Sequence, residues 1–543
     1  RHRSSYQSSF IAQARIDPQH QPRQMGSLHR LRMISEAPLH VHSSLDFGIA
    51  TPVSSATAAA NVVRQQGGGV FDMYLAALAC AWVADPANCS PFGRMQGIFS
   101  VAGEIGCLSA PTALRRVSKS ALPVPVPGNI AAWFFFKQNR RLRLPSRALL
   151  APAIVLAQEG FAPSEGLKVA LESEGAGLSE SLKAIYLDGN DAPREHIRNP
   201  ELADLLQVLA ESEIEDDFWR SLRAREPGPW RPEETLNNSV RQPAPRILDL
   251  DGQSQRLLTT GALETWGTWT LLGAAVTVEL RRRGVLSEFS RAIEAYVLST
   301  ILLLDRIPFA VGTLEPKVAH PSVEVDISLE ATAIADRVIR LLNAPVDALW
   351  NELQSTYFPG PDSWTDDANT NHFSIASGED FLSFTTSIGP WFGSKLSWWG
   401  AGLGYSYAMK SNSLFAGQTH DVTEMSPLIL EMSGRSTLAI GSAGSERILG
   451  SLTYLLFLKL GLGFKEDMAD LLAKPRVFPK DGKLRMHVDF WPDARLHLET
   501  RGFSVAPTDY EPNIHMGMVN IVERLDSNRY KSGADPSSSG SAL

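Results

Sequence analysis

N-T-N-H-F-S-I-A-S-G-E-D-F-L-S-F-T-T-S-I, Asn369 to Ile388, reads as a β-hairpin. Two β-rich runs, His372–Ala376 and Phe381–Ile388, flank the polar turn Ser377-Gly378-Glu379-Asp380. Phe373 and Ile375 alternate with His372 and Ser374, so the first strand has an apolar and a polar face. Thr370 stands just before that strand, on the polar side. Hydroxyls crowd the second strand at Ser383, Thr385, Thr386 and Ser387. On composition alone this is a Thr-rich strand pair, since Thr is a good strand former.

The surrounding chain sets bounds. Its 543 residues suit three or four ordinary domains or one large layered α/β enzyme, and 44% apolar residues supply a sizeable core. A net charge of −8 gives no electrostatic case for nucleic acid or an anionic membrane. Cys80, Cys89 and Cys107 are odd in number and lack metal-type spacing, which indicates neither a disulfide framework nor a zinc site. A reducing compartment, and so the cytoplasm, is the simplest home. No run of eighteen apolar residues and no apolar signal core appears, so no membrane span is expected. Residues 1–44 are basic and rich in Ser and Gln, and are read as a disordered or targeting-like tail, with Met25 and Met33 as candidate starts. The Ser/Gly-rich last dozen residues are also expected to be disordered, and residues 222–245 to form a surface loop.

Downstream of the hairpin, Thr437–Gly441 is a predicted strand, Ser442–Ser445 a tight loop and Glu446–Leu460 a helix. A small-residue loop opening a helix offers backbone N–H groups at the positive end of a helix dipole. Upstream, Ala56–Gln66 is a predicted helix broken by Gly67-Gly68-Gly69. The nearly all-apolar Val70–Val83 is a second helix that must be buried.

T-N-H-F-S followed by T-T-S-I-G-P-W-F-G-S-K resembles the γ-glutamyltranspeptidase signature, T-T-H-x-S … T-x-T-[IL]-N-x-x-F-G-S. Five further segments resemble that family in the same order. They are Q-Q-G-G-G-V-F-D-M-Y-L-A-A-L-A-C-A-W-V-A-D-P from Gln65, L-P-V-P-V-P-G from Leu122, L-P-S-R-A-L-L-A-P-A-I-V-L-A-Q-E-G from Leu144, I-R-N-P-E-L-A from Ile197, and G-S-A-G-S from Gly441. The resemblance implies an α+β chain with the four-layer αββα N-terminal-nucleophile (Ntn) hydrolase fold. It also implies self-cleavage before Thr370, giving a large part, 45–369, and a small part, 370–543, that stay associated.

The implied chemistry follows. A Thr hydroxyl is a poor nucleophile unless a base takes its proton, and an N-terminal Thr has its own α-amine, with pKa near 8, for that task. By resemblance Thr370 is the nucleophile, the N–H groups of Gly444 and Ser445 hold the oxyanion, and Ser387 orients Thr370, with Thr386 as its substitute. His372 reads as a structural strand residue. No cofactor or metal is called for.

The substrate-recognition positions depart from the family. Its R-E-M-A-P is here C-L-S-A-P, so the carboxylate-binding Arg becomes Cys107. Its S-S-M-S-P is T-E-M-S-P, with Thr423 and Glu424 for the Ser pair. Gly389 replaces the Asn of T-x-T-[IL]-N, and Ser406–Ser411, with Lys410, replaces an acidic run. Trp391, Phe392, Trp398, Trp399, Tyr405 and Tyr407 crowd the same region, which suggests a large, partly apolar pocket. Arg94 is a candidate relocated positive charge. The leading expectation is an acyl-transferring or amide-hydrolysing enzyme acting on a small molecule other than an ordinary γ-glutamyl peptide. Two alternatives stand beside it: a member with a retired nucleophile, serving as a cyclase or binding protein of specialised metabolism, and an orthodox glutathione-handling transpeptidase.

Overall fold

The structure, a computed structural model, describes residues 40–115, 123–139, 141–236, 240–250, 254–262, 264–307, 325–354, 368–406, 408–409, 419–480, 482–510 and 516–543. Two antiparallel sheets lie at its centre. Six of the described strands form one sheet: β2 (Phe47–Thr51), β3 (Arg94–Val101), β4 (Glu104–Ala110), β7 (Ala368–Ser377), β8 (Asp380–Pro390) and β13 (Ser541–Ala542), in the order β13-β2-β7-β8-β3-β4. Seven form the other: β1 (Val41–Leu45), β5 (Pro245–Asp249), β6 (Gln255–Thr260), β9 (Leu428–Met432), β10 (Arg435–Ala443), β11 (Met518–Arg524) and β12 (Arg529–Ala534), in the order β1-β12-β11-β10-β9-β6-β5. The sheets pack face to face through Ile98, Ala376 and Phe381 on one side and Leu258, Ile429, Ala439 and Val522 on the other.

Helices cover both outer faces. Over the six-stranded sheet lie α1 (Ser54–Gln65), α2 (Val70–Ala84), α3 (Asn129–Gln138) and α4 (Ser146–Glu159), with α5 (Glu165–Glu174), α6 (Pro200–Glu211) and α7 (Glu215–Arg225) continuing that side. Over the seven-stranded sheet lie α8 (Gly267–Arg282), α9 (Phe289–Arg306), α10 (Ile327–Leu342) and α11 (Arg447–Leu456). The result is the four-layer αββα arrangement of an Ntn hydrolase, α+β in class. Every residue of α2 is buried, as its nearly all-apolar sequence requires. Its one acid, Asp72, is satisfied: the carboxylate accepts from Gly69 N–H at 2.9 Å and from the N–H groups of Arg143 and Leu144. That pins the start of α2 to the segment leading into α4.

Two boundary expectations change. Val41–Leu45, inside the segment read as a tail, form a strand, because β1 pairs with β12. The C-terminus is a buried strand rather than a disordered end: β13 pairs with β2, and Leu543 N–H donates to the Ile49 carbonyl at 2.8 Å. Small Ser, Gly and Ala residues fit a strand squeezed between neighbours as well as they fit a flexible tail. In the supposed surface loop, Trp230 is buried and donates its indole N–H to the Pro125 carbonyl.

Candidate active site

The space between the sheets is apolar at one end and polar at the other. Alternation along β7 turns Thr370, His372 and Ser374 toward the second sheet, while Phe373 and Ile375 enter the helical layer. Along β8, Ser383 and Thr385 face inward and Thr386 outward: Ser383 Oγ donates to the Ile440 carbonyl, whereas Thr386 Oγ1 donates to the Arg94 carbonyl and accepts from Asn129 Nδ2. Ser387 therefore falls on the inner face with Thr370.

Thr370 sits where the ladder between β7 and β8 is irregular. Asn369 pairs with Gly389 but Asn371 pairs with Thr386, so Ser387 and Ile388 together oppose the single residue Thr370. Such a bulge bends a strand and re-aims a side chain. Gly389 closes it at φ 105°, a conformation that favours glycine, and its N–H donates to Ser387 Oγ at 3.0 Å. Thr370 is buried at the rim of a cavity of about 40 Å³, room for a few waters or a group of similar size. Asp85, Asn88, Trp391, Ala443 and Asn520 share that rim.

His372 is fully buried between the sheets. Its ring nitrogens meet Thr385 Oγ1 at 2.8 Å and Ser374 Oγ at 3.0 Å, and the ring lies over Gly441, where a Cβ would come within 2.3 Å of it. Burial pushes its pKa down to about 3, so it is a neutral hydrogen-bonding strut.

β10 runs on through Ala443, two residues into the loop expected at Ser442–Ser445. Gly444 has φ 120° and Ser445 φ 55°, and Arg447 N–H bonds back to the Gly444 carbonyl at the start of α11. Ala443, the residue before the pair, borders the Thr370 cavity. Ser445 Oγ donates to Glu424 Oε1 at 3.0 Å. Glu424 is buried, and that burial raises its carboxyl above the ordinary range against the opposing pull of Arg94 and Ser445. Thr423 is also buried, and its Oγ1 accepts from Met425 N–H at 3.3 Å.

Arg94 is interior. Its Nη1 lies 3.5 Å from Asp421 Oδ2, and Asp421 also accepts from Thr112 Oγ1 at 2.9 Å and Ser406 Oγ at 2.6 Å. Desolvation raises the Asp421 carboxyl more than Arg94 lowers it. Cys107 is buried between the sheets, with Sγ 3.9 Å from the Thr259 carbonyl, and burial pushes its thiol up to about 12. It is a neutral packing group. The expected aromatic pocket is corrected at Trp398, which is core: it stacks on Phe92 and Trp219 at centroid distances of 5.6 and 6.4 Å and meets Trp230 edge-on. Trp391 alone among the described aromatics of that cluster borders the Thr370 cavity. Lys410 and Tyr407 lie outside the described residues.

Sequence reasoning missed Asp85, Asn88, Asn520 and Asp421. Asp85-Pro86 stood at the end of a matching segment and signalled only the close of α2. Asn520 sits in an ordinary strand pattern and carried no signal at all.

The sequence model of the gamma-glutamyltranspeptidase family matches residues 109–224 and 323–543. Scoloptoxin SSD14 of Scolopendra dehaani is 25% identical over 491 residues, 79% of this chain and 81% of that protein. Glutathione hydrolase 2 of Arabidopsis thaliana is 28% identical over 181 residues, 30% of this chain and 31% of that one. The crystal structure of cephalosporin acylase from Bacillus halodurans superposes with a TM-score of 0.72 at 18% identity, covering 98% of this chain and 99% of that one, a likeness of fold.

Proposed function

Because this chain belongs to the gamma-glutamyltranspeptidase family, and is thus an Ntn enzyme of hydrolase or transferase type, we propose that it cuts itself before Thr370 and then works through that residue. Thr370 Oγ attacks the Asn369 carbonyl, the peptide nitrogen leaves as the Thr370 amine, and water releases the Asn369 carboxylate from the ester. The free amine then takes the hydroxyl proton as Thr370 attacks an acyl or amide substrate. The N–H groups of Gly444 and Ser445 stabilise the oxyanion, and Ser387 orients the hydroxyl. Water or an amine completes the cycle. One observation carries this reading: Thr370 is the single residue opposed by Ser387 and Ile388 at the bulge, on the rim of a cavity that also reaches the residue before Gly444.

The substrate differs from a standard γ-glutamyl peptide. Cys107, Glu424 and Gly389 stand where the resemblance calls for an Arg, a Ser and an Asn, and Arg94 is already matched with Asp421. A second reading, a retired nucleophile in a cyclase or binding protein, draws on the same substitutions.

The intact mass of the purified protein decides between the two. Two associated fragments, 1–369 and 370–543, with Thr370→Ala remaining one chain, support the acyl-transfer reading. A folded protein that stays whole after long incubation removes it. Among the described residues no helix is long and apolar enough to cross a membrane, and no group of three His, Cys, Asp or Glu side chains is placed to hold a metal ion.

A further inference from the structure

Backbone pairing holds Thr370 weakly. The ladder between β7 and β8 is irregular at that residue, and the ladder between β2 and β7 ends at Ser374. Contacts across the sandwich must therefore set where the Thr370 hydroxyl stands.

Asn520 on β11 supplies one of them. It is buried, lines the same cavity as Thr370, and donates Nδ2–H to the His372 carbonyl at 2.6 Å, two residues along the nucleophile's strand. A second bond runs the other way: Ser374 Oγ donates to the Asn520 carbonyl at 3.0 Å. Since that hydroxyl gives its hydrogen to Asn520, it accepts from His372 Nε2–H, also at 3.0 Å. β7 and β11 are thus stapled in both directions. The oxyanion loop lies on the far side of the staple. β11 pairs with β10, Asn520 opposite Gly441 and Met518 opposite Ala443, and Gly444 and Ser445 follow directly. Gly441 also packs against the His372 ring. Asn520 therefore joins the strand of the nucleophile to the strand that ends in the loop.

We infer that Asn520 is a positioning residue for Thr370. Its Nδ2–H, donated to the His372 carbonyl, holds β7 in place over β10. That contact sets how the Thr370 hydroxyl meets the Asn369 carbonyl before cleavage and the Gly444 and Ser445 N–H groups after it. The inference deepens the acyl-transfer reading and rests on it.

The experiment follows cleavage of the full chain by intact mass in Asn520→Ala and Asn520→Asp, with circular dichroism to confirm folding. An Asp carboxylate accepts but cannot donate, whereas the protonated acid can, and burial keeps such an acid protonated into mildly acidic solution. At pH 8 both variants should cut about tenfold or more slowly than wild type, because small misplacements of reacting atoms cost that much. Whole Asn520→Asp moved to pH 5 should then cut, while Asn520→Ala should stay whole. Loss of packing alone gives no such recovery. Asp85 and His372, the ionisable side chains that line the cavity, are present in both variants and cannot tell them apart. Should Asn520→Asp fail to fold, Ser374→Ala serves instead, with Ser374→Thr as the variant that keeps the hydroxyl. Only the first of these should slow cleavage, by about threefold or more.

Wild-type rates at pH 8 in a folded variant, or Asn520→Asp that stays whole at pH 5, overturn the role of Asn520. Wild type that remains whole removes the acyl-transfer reading and this role with it. Cut wild type beside equally cut variants removes this role alone.

Discussion

The Ser445 hydroxyl donates to Glu424 Oε1 at 3.0 Å, tying the loop that opens α11 to the segment that leads into β9. The resemblance presents Glu424 as a departure at a family Ser and Ser445 as part of a separate loop; in the structure the two share one contact. It links a residue held at φ 55° to a buried carboxyl, so each makes the other tolerable.

An order of stabilities follows. Ser445→Ala strands the Glu424 carboxyl and keeps the unfavourable φ, so unfolding in urea should show a loss of about 1–3 kcal/mol. Ser445→Gly also loses the hydroxyl but recovers roughly 1 kcal/mol of backbone strain, and should be the milder change. Glu424→Gln retains an acceptor for Ser445 and should be milder again. A Gly variant less stable than the Ala variant would contradict the left-handed conformation at 445.

His372 sets a pH dependence of definite sign. Its pKa falls from 6.5 to about 3 on burial, so below pH 6.5 the unfolded chain takes up a proton that the folded protein refuses. Stability from this group is complete above 6.5 and is lost as the pH falls toward 3, with a slope of about 1.4 kcal/mol per pH unit. Asp421 and Glu424, whose pKa values are raised, act oppositely: they favour the folded state in acid and cost stability as the pH rises. The total slope is therefore blunted, and the comparison of wild type with His372→Gln isolates the histidine. Denaturation at pH 4.5, 5.5, 6.5 and 7.5 should show the two curves converging in acid. Parallel curves would mean that His372 titrates alike in the folded and unfolded chain.

Trp398 should behave as core. It sits among Phe92, Trp219 and Trp230, so Trp398→Ala removes a large buried ring and should cost about 3–5 kcal/mol. Trp391→Ala, at a half-buried position, should cost much less. Equal losses in thermal or chemical denaturation would argue that the two rings have the same surroundings.

What was legible in the sequence is what repeats locally. The hairpin at 372–388, the buried helix from Val70 and the small-residue loop before α11 are each set by periodicity, turn chemistry or an apolar run within a dozen or so neighbours. The order of the layers came from resemblance. Long-range neighbours were illegible: nothing near Arg94 announces Asp421, and nothing near Asn88 announces that Asn520 lines the same cavity. Aromatic clustering between 391 and 407 misled because ring density reports burial without saying whether the rings line a space or fill it. Trp398 fills it, while Trp391, only seven positions earlier in the chain, reaches the cavity.

Glutathione should be a poor substrate. A γ-glutamyl head group carries a carboxylate and an ammonium close together, and charge-assisted hydrogen bonds to such groups contribute roughly 1.5–3 kcal/mol each. For the carboxylate, Cys107 is a buried neutral thiol, Glu424 is an acid, and the Arg94 guanidinium faces Asp421 at 3.5 Å. Losing two such contacts costs on the order of 3–6 kcal/mol, about two to four powers of ten in affinity. Hydrolysis of a γ-glutamyl anilide and turnover of glutathione should accordingly be poor. Efficient glutathione turnover at micromolar concentration would sink this expectation and would require Arg94 to leave Asp421 for the substrate. Asp421→Asn then becomes the discriminating variant: by freeing Arg94 it should improve glutathione turnover if the pair is what withholds the charge, and leave it poor if the lost Arg at position 107 is the deficit that matters.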